Sequence, residues 1–106
     1  MMNGATVHDP GGYRVPQAVL TLTNAVGLHA RPAAKFVQTA VRFVSAITVR
    51  NVTRGGPPAD AKGILGVLGL GAEHGHVIEV SAAGPDELES LTAIRTLVES
   101  GFGEDP

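Results

Sequence analysis

Two residue types that shape many small proteins are missing from this chain, which has no cysteine and no tryptophan. Without cysteine there is no disulfide and no thiolate metal site, a composition typical of proteins in a reducing compartment. Aromatic residues make up only 4% of the sequence, although 43% of it is hydrophobic. We therefore expect a core built from valine, leucine, isoleucine and alanine.

Long apolar runs and a strong charge of one sign are absent as well. No stretch approaches the ~20 apolar residues of a membrane-spanning helix, and the first residues lack the basic-then-apolar pattern of a signal peptide. The formal net charge is -2, so the chain offers no strongly basic face for nucleic acid. These absences predict a soluble, cytoplasmic protein that neither enters a membrane nor binds nucleic acid.

A chain of 106 residues is long enough for one domain with a single core. Residues 1–17 show little periodicity and contain several chain-breaking residues, Pro10, Gly11, Gly12 and Pro16. We expect a mostly disordered extension there. The predicted domain covers residues 18–102, and residues 103–106 form a short tail.

Hydrophobic periodicity divides the predicted domain into seven elements. Alternating residues indicate strands at 18–23, 46–52 and 77–82, and a further strand at 59–62 is weakly indicated. Apolar residues at three- and four-residue spacing predict a helix from 30 to about 44, a short glycine-rich helix at 63–70, and a last helix that begins in 84–87 and ends at Ser100-Gly101. These elements predict a two-layer α+β sandwich with the helices on one side of a largely antiparallel sheet.

Residues 24–34, with the sequence Asn-Ala-Val-Gly-Leu-His-Ala-Arg-Pro-Ala-Ala, carry the strongest functional signal. A glycine loop runs into a helix start, with His29 at the junction and Pro32 in the first turn, where its missing N–H has no helical partner to lose. A nucleophilic ring nitrogen, free first-turn N–H groups and the Arg31 guanidinium together suit the covalent holding of a phosphoryl group. The simpler alternative is a capping histidine beside a surface arginine.

The segment 27–34 resembles the active-site motif of the HPr family, the histidine-containing phosphocarriers of the phosphoenolpyruvate:sugar phosphotransferase system. The resemblance continues through 36–40, 61–71 and 78–82, and covers most of the chain from about Val19 to Glu99. It implies an open-faced β-sandwich in which a four-stranded, largely antiparallel sheet is covered on one face by three helices, in the order β-α-β-β-α-β-α.

The resemblance also implies roles for the residues at the helix start. His29 would carry the phosphoryl group on Nδ1, while the backbone N–H groups of Ala30 and Arg31 and the Arg31 guanidinium would contact it. Many family members have a small polar residue just before the glycine, but this chain has Val26 there, so that side-chain contact is lost.

By the same resemblance, the chain would accept a phosphoryl group from phospho-enzyme I and donate it to enzyme II A domains for sugar uptake. It would be a covalent intermediate and not an enzyme with its own substrate. It would work as a monomer without a cofactor. Two alternatives stay open, a specialised nitrogen- or dihydroxyacetone-linked relay and a regulatory binding module that carries no phosphate. The presence of His29 counts against the second.

The short helix raises a choice between core and interface. Ile64, Leu65 and Leu68 are all apolar, yet a helix this short cannot bury every apolar residue on one face. The matching positions in the family dock partner proteins, and an exposed apolar cluster near a reactive group usually marks binding. We therefore predict a docking role, above all for Leu65 and Leu68.

Two further positions predict that the chain lacks a regulatory serine and a metal site. Gly63 stands where many Gram-positive-type family members have a kinase-regulated serine, and a glycine has no hydroxyl to phosphorylate. The spacing of His74-Gly75-His76 is compatible with a metal, but no third ligand is nearby and a turn explains it equally well. We expect neither a regulatory serine nor a metal site.

Overall fold

The structure is a computed structural model that describes residues 6–8 and 14–104. Within these residues the chain forms five strands, three α-helices and a short 3-10 helix, in the order β1 (Thr6–His8), β2 (Arg14–Thr21), α1 (Ala30–Ala40), β3 (Ala46–Asn51), β4 (Ala59–Asp60), α2 (Ile64–Gly69), β5 (Val77–Ala83), α3 (Glu87–Glu99) and the 3-10 helix Gly101–Gly103. No helix of the described residues is long and apolar enough to cross a membrane.

The strands lie in the order β1-β2-β5-β3-β4, and every neighbouring pair is antiparallel. Strands β2, β5, β3 and β4 form the four-stranded sheet that the sequence predicts, and the helices cover one of its faces. The expected α+β open-faced sandwich is therefore confirmed. As the alternating pattern implies, every second residue of β2, β3 and β5 is buried in the core: Ala18, Leu20, Ile47, Val49, Ile78, Val80 and Ala82.

The predicted disordered extension at 1–17 is wrong where the structure describes it. β1 pairs with the start of β2, so that Thr6 lies opposite Pro16 and His8 opposite Arg14. The first strand of the domain accordingly starts at Arg14 and not at residue 18. Prolines and glycines are common in disordered tails, but they also separate paired strands. Residues 1–5 and 9–13 lie outside the described residues, as do 105–106 of the predicted tail.

Helix α1 is shorter than the sequence predicts. It ends at Ala40, and Val41 caps it, whereas the apolar spacing extended the helix to Val44. Val44 is exposed because the chain has already turned away: the backbone N–H groups of Val44 and Ser45 both donate to the Asp86 carboxylate at the start of α3. This contact spans about 40 residues of sequence, so local periodicity could not reveal it.

The core lies between the helices and the sheet and contains few aromatic residues, as expected. Phe36 of α1 and Phe102 of the 3-10 helix are its largest members, and both are almost fully buried. Phe102 is also the one described residue other than glycine with a positive φ, at 61°. A bulky side chain is rarely found in this left-handed region. Burial of the ring holds the residue there, beside the start of α1.

Candidate functional site

His29 is the N-cap residue of α1, and its side chain is exposed. Its backbone is extended, with φ -75° and ψ -176°, and its carbonyl accepts the Ala33 N–H at 2.8 Å. The ring makes no capping hydrogen bond. The alternative of a capping histidine therefore does not hold, and both ring nitrogens are available for chemistry.

The first turn of α1 leaves two backbone donors beside His29. Among its four leading residues, Ala33 already donates to the His29 carbonyl and Pro32 has no N–H. The N–H groups of Ala30 and Arg31 consequently have no partner within the helix. These are the two groups that the resemblance assigned to phosphate binding.

Arg31 is exposed in the same turn. Within residues 14–104 its guanidinium makes neither an ion pair nor a hydrogen bond. The first turn of α1 contains no acidic residue. The positive end of the helix dipole and an unpaired guanidinium therefore lie together, which is a surrounding that favours an anion.

The loop that presents His29 is held by a glycine and an asparagine. Gly27 has φ 62°, and a Cβ on it would lie 2.5 Å from the Ala72 carbonyl oxygen, so a side chain does not fit. Asn24 is buried, and its amide donates to the Gly27 carbonyl at 2.9 Å. The next N–H, of Leu28, donates to the Ala72 carbonyl at 2.8 Å. These contacts fix the loop in front of the helix against the segment before β5.

Two depressions flank His29. The smaller, of about 250 Å³, reaches α2 and is lined by Leu28, His29, Ala30, Leu68, Gly71, Ala72 and Glu73. The larger, an open cleft of about 720 Å³, is lined by Val26, His29, Ala30, Arg31, Pro32, Lys35, Gly103 and Glu104. The histidine thus separates a mainly apolar depression from a cleft with two cationic side chains, and we call the larger one the cationic cleft.

The predicted docking residues lie on the outer face of α2. Leu65 is 82% exposed, whereas Ile64 and Leu68 are 38% and 39% exposed. Val67 is the buried residue of this helix. Leu68 also lines the depression beside His29, so the exposed apolar surface adjoins the reactive group. The exposure excludes a core role for Leu65, while docking itself stays a prediction.

The remaining predicted positions lie away from His29 or hold the loops. Gly63 is the N-cap of α2. The Nδ1 atom of His74 contacts the Asn24 carbonyl at 3.1 Å, and Nδ1 of His76 lies 3.2 Å from the Glu73 nitrogen and 3.1 Å from the Asn51 amide nitrogen. Both histidines therefore hold the turn before β5 through contacts of their rings. The described residues contain no group of three or more potential metal ligands.

Sequence reasoning missed three parts of the site. It gave no role to Lys35, to Asn24, or to Gly103 and Glu104, which line the cationic cleft together with Lys35. The four-residue spacing between Arg31 and Lys35 places both side chains on one face of α1, and this spacing is visible in the sequence. No local pattern in the sequence predicts that residues 102–104 lie beside α1.

Comparison with known proteins identifies the family. The family described as "PTS HPr component phosphorylation site" matches residues 16–100. Phosphocarrier protein HPr of Cupriavidus necator is 42% identical over 84 residues, which cover 79% of this chain and 91% of that protein. Phosphocarrier protein NPr of Proteus mirabilis is 41% identical over 86 residues, or 81% of this chain and 93% of that one.

Solved structures agree. The crystal structure of HPr-C-His from Thermoanaerobacter tengcongensis superposes with a TM-score of 0.79 at 43% identity, covering 85% of this chain and 98% of that one. The chain also matches multiphosphoryl transfer proteins, of whose length it spans only 24%. The matched residues 16–100 include the His29 loop, both long helices and four strands of the sheet. The chain therefore belongs to the HPr family, the phosphocarrier proteins of the phosphotransferase system.

Proposed function

We propose that this protein accepts a phosphoryl group on His29 from phospho-enzyme I and passes it to enzyme II A domains, in the cytoplasm and as a monomer. The observation that carries the proposal is the helix start itself. Among the described residues, an exposed imidazole without a capping bond adjoins two backbone donors and a guanidinium that have no partner. This arrangement supplies a nucleophile and a place for the charge that the nucleophile acquires.

The transfer is an exchange between two imidazoles. The lone pair of His29 Nδ1 forms the new N–P bond while the N–P bond of the donor breaks and its electron pair returns to the donor ring. The proton released from the second nitrogen of His29 is balanced by the proton that the donor ring takes up. Because an N–P bond is made and an N–P bond is lost, positioning and charge stabilisation remain as the main tasks of the protein.

The site must bind the phosphoryl group without retaining it. Two backbone N–H groups and Arg31 supply charge-assisted contacts, while the position before Gly27 is the apolar Val26. The cleft is open to solvent and to a partner. A carrier benefits from this arrangement, since binding that is too strong in the loaded state slows release.

The outer face of α2 supplies the docking surface in this proposal. Ile64, Leu65 and Leu68 are exposed, and Leu68 lines the depression next to His29. A partner that covers these side chains would bring its own histidine to the rim of the site. A seryl-kinase switch is not part of the proposal, because the N-cap of α2 is Gly63, which has no hydroxyl.

The test is phosphorylation by phosphoenolpyruvate and enzyme I, followed by intact mass measurement. We expect the wild-type chain to gain one phosphoryl group that is labile in acid and stable in base, and His29→Ala to gain none. A second phosphorylated residue, or a loaded His29→Ala variant, would contradict the proposal. Parallel reactions with the enzyme I forms of sugar-linked and nitrogen-linked relays would identify the branch, since the HPr and NPr relatives match almost equally well.

A further inference from the structure

Lys35 lines the cationic cleft together with His29 and Arg31. Its Nζ donates to the carbonyl oxygen of Phe102 at 2.6 Å, a contact that joins α1 to the 3-10 helix 67 residues later. An ammonium group has three N–H donors. Within residues 14–104 the other two have no partner, and no carboxylate lies within 4 Å of this nitrogen.

The Phe102 carbonyl is held in a fixed direction. The ring is 1% exposed, and the residue has φ 61°, a conformation that is costly for a bulky side chain. Core packing therefore keeps this carbonyl beside α1. A lysine bound to it has already lost much of its side-chain freedom before any ligand arrives, which is the condition for a preorganised contact.

The charges at the start of α1 are unfavourable in the unloaded protein. Arg31 and Lys35 are four residues apart on one face of the helix, and like charges at this spacing repel each other. Arg31 also lies in the first turn, at the positive end of the helix dipole where cations are disfavoured, and no acidic residue occupies that turn to offset its charge. Glu104 lines the same cleft but forms no ion pair with either cation. A doubly charged anion on His29 would attract both cations and offset their mutual repulsion.

We propose that Lys35 is a second cationic ligand of the phosphoryl group carried by His29, held in place by the Phe102 carbonyl. This inference rests on the proposed phosphocarrier function and adds a residue to its site. Arg31 supplies a forked contact from the first turn, and Lys35 supplies a point charge from the next turn. The C-terminal segment thereby becomes part of the phosphoryl site through its contact with Lys35.

The chain contains a matched control. Lys62 Nζ donates to the carbonyl oxygen of Phe43 at 2.7 Å, so it makes the same type of contact at nearly the same distance, but it does not line the cationic cleft. Lys35→Gln and Lys62→Gln should therefore lose comparable stability, measured as Tm. Only Lys35→Gln removes a charge from the cleft, and Lys35→Arg keeps that charge.

Two measurements separate a ligand from a structural residue. The first is the rate of transfer from enzyme I at saturation, kcat, kept apart from KM. We expect kcat to fall about tenfold in Lys35→Gln, with near wild-type values in Lys35→Arg and Lys62→Gln. The second is a phosphorus NMR titration of the phosphohistidine. Loss of a nearby cation should raise the pKa of the phosphoryl group by about one unit in Lys35→Gln alone.

Each outcome bears on the proposal. Lys35→Gln with wild-type kcat and phosphoryl pKa would overturn it while leaving the carrier function intact, because wild-type phosphorylation on His29 is recorded in the same experiment. Equal losses in Lys35→Gln and Lys62→Gln, or in Lys35→Gln and Lys35→Arg, would also overturn it, since the effect would then follow the hydrogen bond and not the charge. A wild-type chain that is not phosphorylated on His29 would remove both proposals.

Discussion

Helices α1 and α3 both begin after a glycine that has no room for a side chain, yet their first turns carry opposite charges. Gly27 approaches Ala72 and Glu73, and a Cβ on Gly84 would lie 2.6 Å from the Ser45 hydroxyl. The first turn of α3 contains two acidic residues, Glu87 and Glu89, whereas that of α1 contains none.

The acidic residues at α3 are used within the fold. Asp86 accepts the N–H groups of Val44 and Ser45, each at 2.9 Å, and the Ser45 hydroxyl at 2.5 Å, and Glu87 accepts the N–H of Gly84 at 3.0 Å. The Asp86 carboxylate thus ties the start of α3 to the segment before β3. At α1 the N–H groups of Ala30 and Arg31 have no partner among the described residues. We propose that the start of α3 serves stability and the start of α1 serves function, and four predictions test this difference.

The largest effect should come from the two glycines, because both helix starts depend on them. Gly27→Ala and Gly84→Ala each combine a strained φ with overlap against neighbouring atoms, so we expect a loss of about 2–4 kcal/mol in the free energy of unfolding. Gly75→Ala is the control, with φ 84° but nothing within 4 Å of the added Cβ, and should lose about 1 kcal/mol. Urea unfolding measures all three. Equal losses at Gly27 and Gly75 would show that the contact with Ala72 and Glu73 is unimportant.

The second prediction concerns the pH dependence at α3. Hydrogen bonds from the Ser45 hydroxyl and the Val44 N–H lower the pKa of Asp86 from 3.8 to about 2. A depressed carboxyl pKa contributes stability that is complete above the unfolded value and is lost as the pH falls through the folded value. Asp86→Asn should therefore lower Tm by several degrees at pH 7, and the difference should shrink between about pH 4 and pH 2. A constant difference in Tm over that range would contradict this account.

The third prediction exchanges the charges. Ala30→Glu places an acid in the first turn of α1 and should raise stability by about 0.3–1 kcal/mol, while Glu89→Gln should lower it by a similar amount. The rate of phosphoryl transfer should respond differently. Ala30→Glu should slow transfer to His29 at least tenfold, because the carboxylate repels the phosphoryl group. Glu89→Gln should leave the transfer rate unchanged. Ala30→Gln controls for the bulk of the side chain. Equal transfer rates in Ala30→Glu and Ala30→Gln would remove the electrostatic explanation.

The smallest effect on stability is expected on the exposed apolar surface. Leu65→Glu should change the free energy of unfolding by less than about 0.5 kcal/mol, since the side chain is largely exposed, yet weaken the binding of enzyme I. Leu88 of α3 is similarly exposed, at 64%, and Leu88→Glu is the matched control away from His29. Titration calorimetry with enzyme I compares the two. Equal binding by both variants would place the docking surface elsewhere.

Local patterns predicted much of this molecule because most of its elements bury a regular face. In the last helix, for example, Leu91, Ile94 and Val98 are buried at three- and four-residue spacing, and Arg95 is exposed. The His29 motif was found because its parts are adjacent in sequence. Three features depend on distant contacts, and these the sequence could not reveal: the early end of α1, the Lys35–Phe102 hydrogen bond, and the buried Asn51 amide, which binds the Leu70 carbonyl and the Arg54 N–H.

The central claim is that the start of α1 is kept open for a phosphoryl group on His29, and backbone amide NMR tests it most directly. Spectra of the ¹⁵N-labelled protein before and after phosphorylation by enzyme I and phosphoenolpyruvate report every N–H separately. We predict phosphorylation of His29 at Nδ1, with the largest downfield shifts at the Ala30 and Arg31 amides and little change at Glu87 and Glu89. Unchanged Ala30 and Arg31 amides in a fully phosphorylated sample, or phosphate on another residue, would contradict the account.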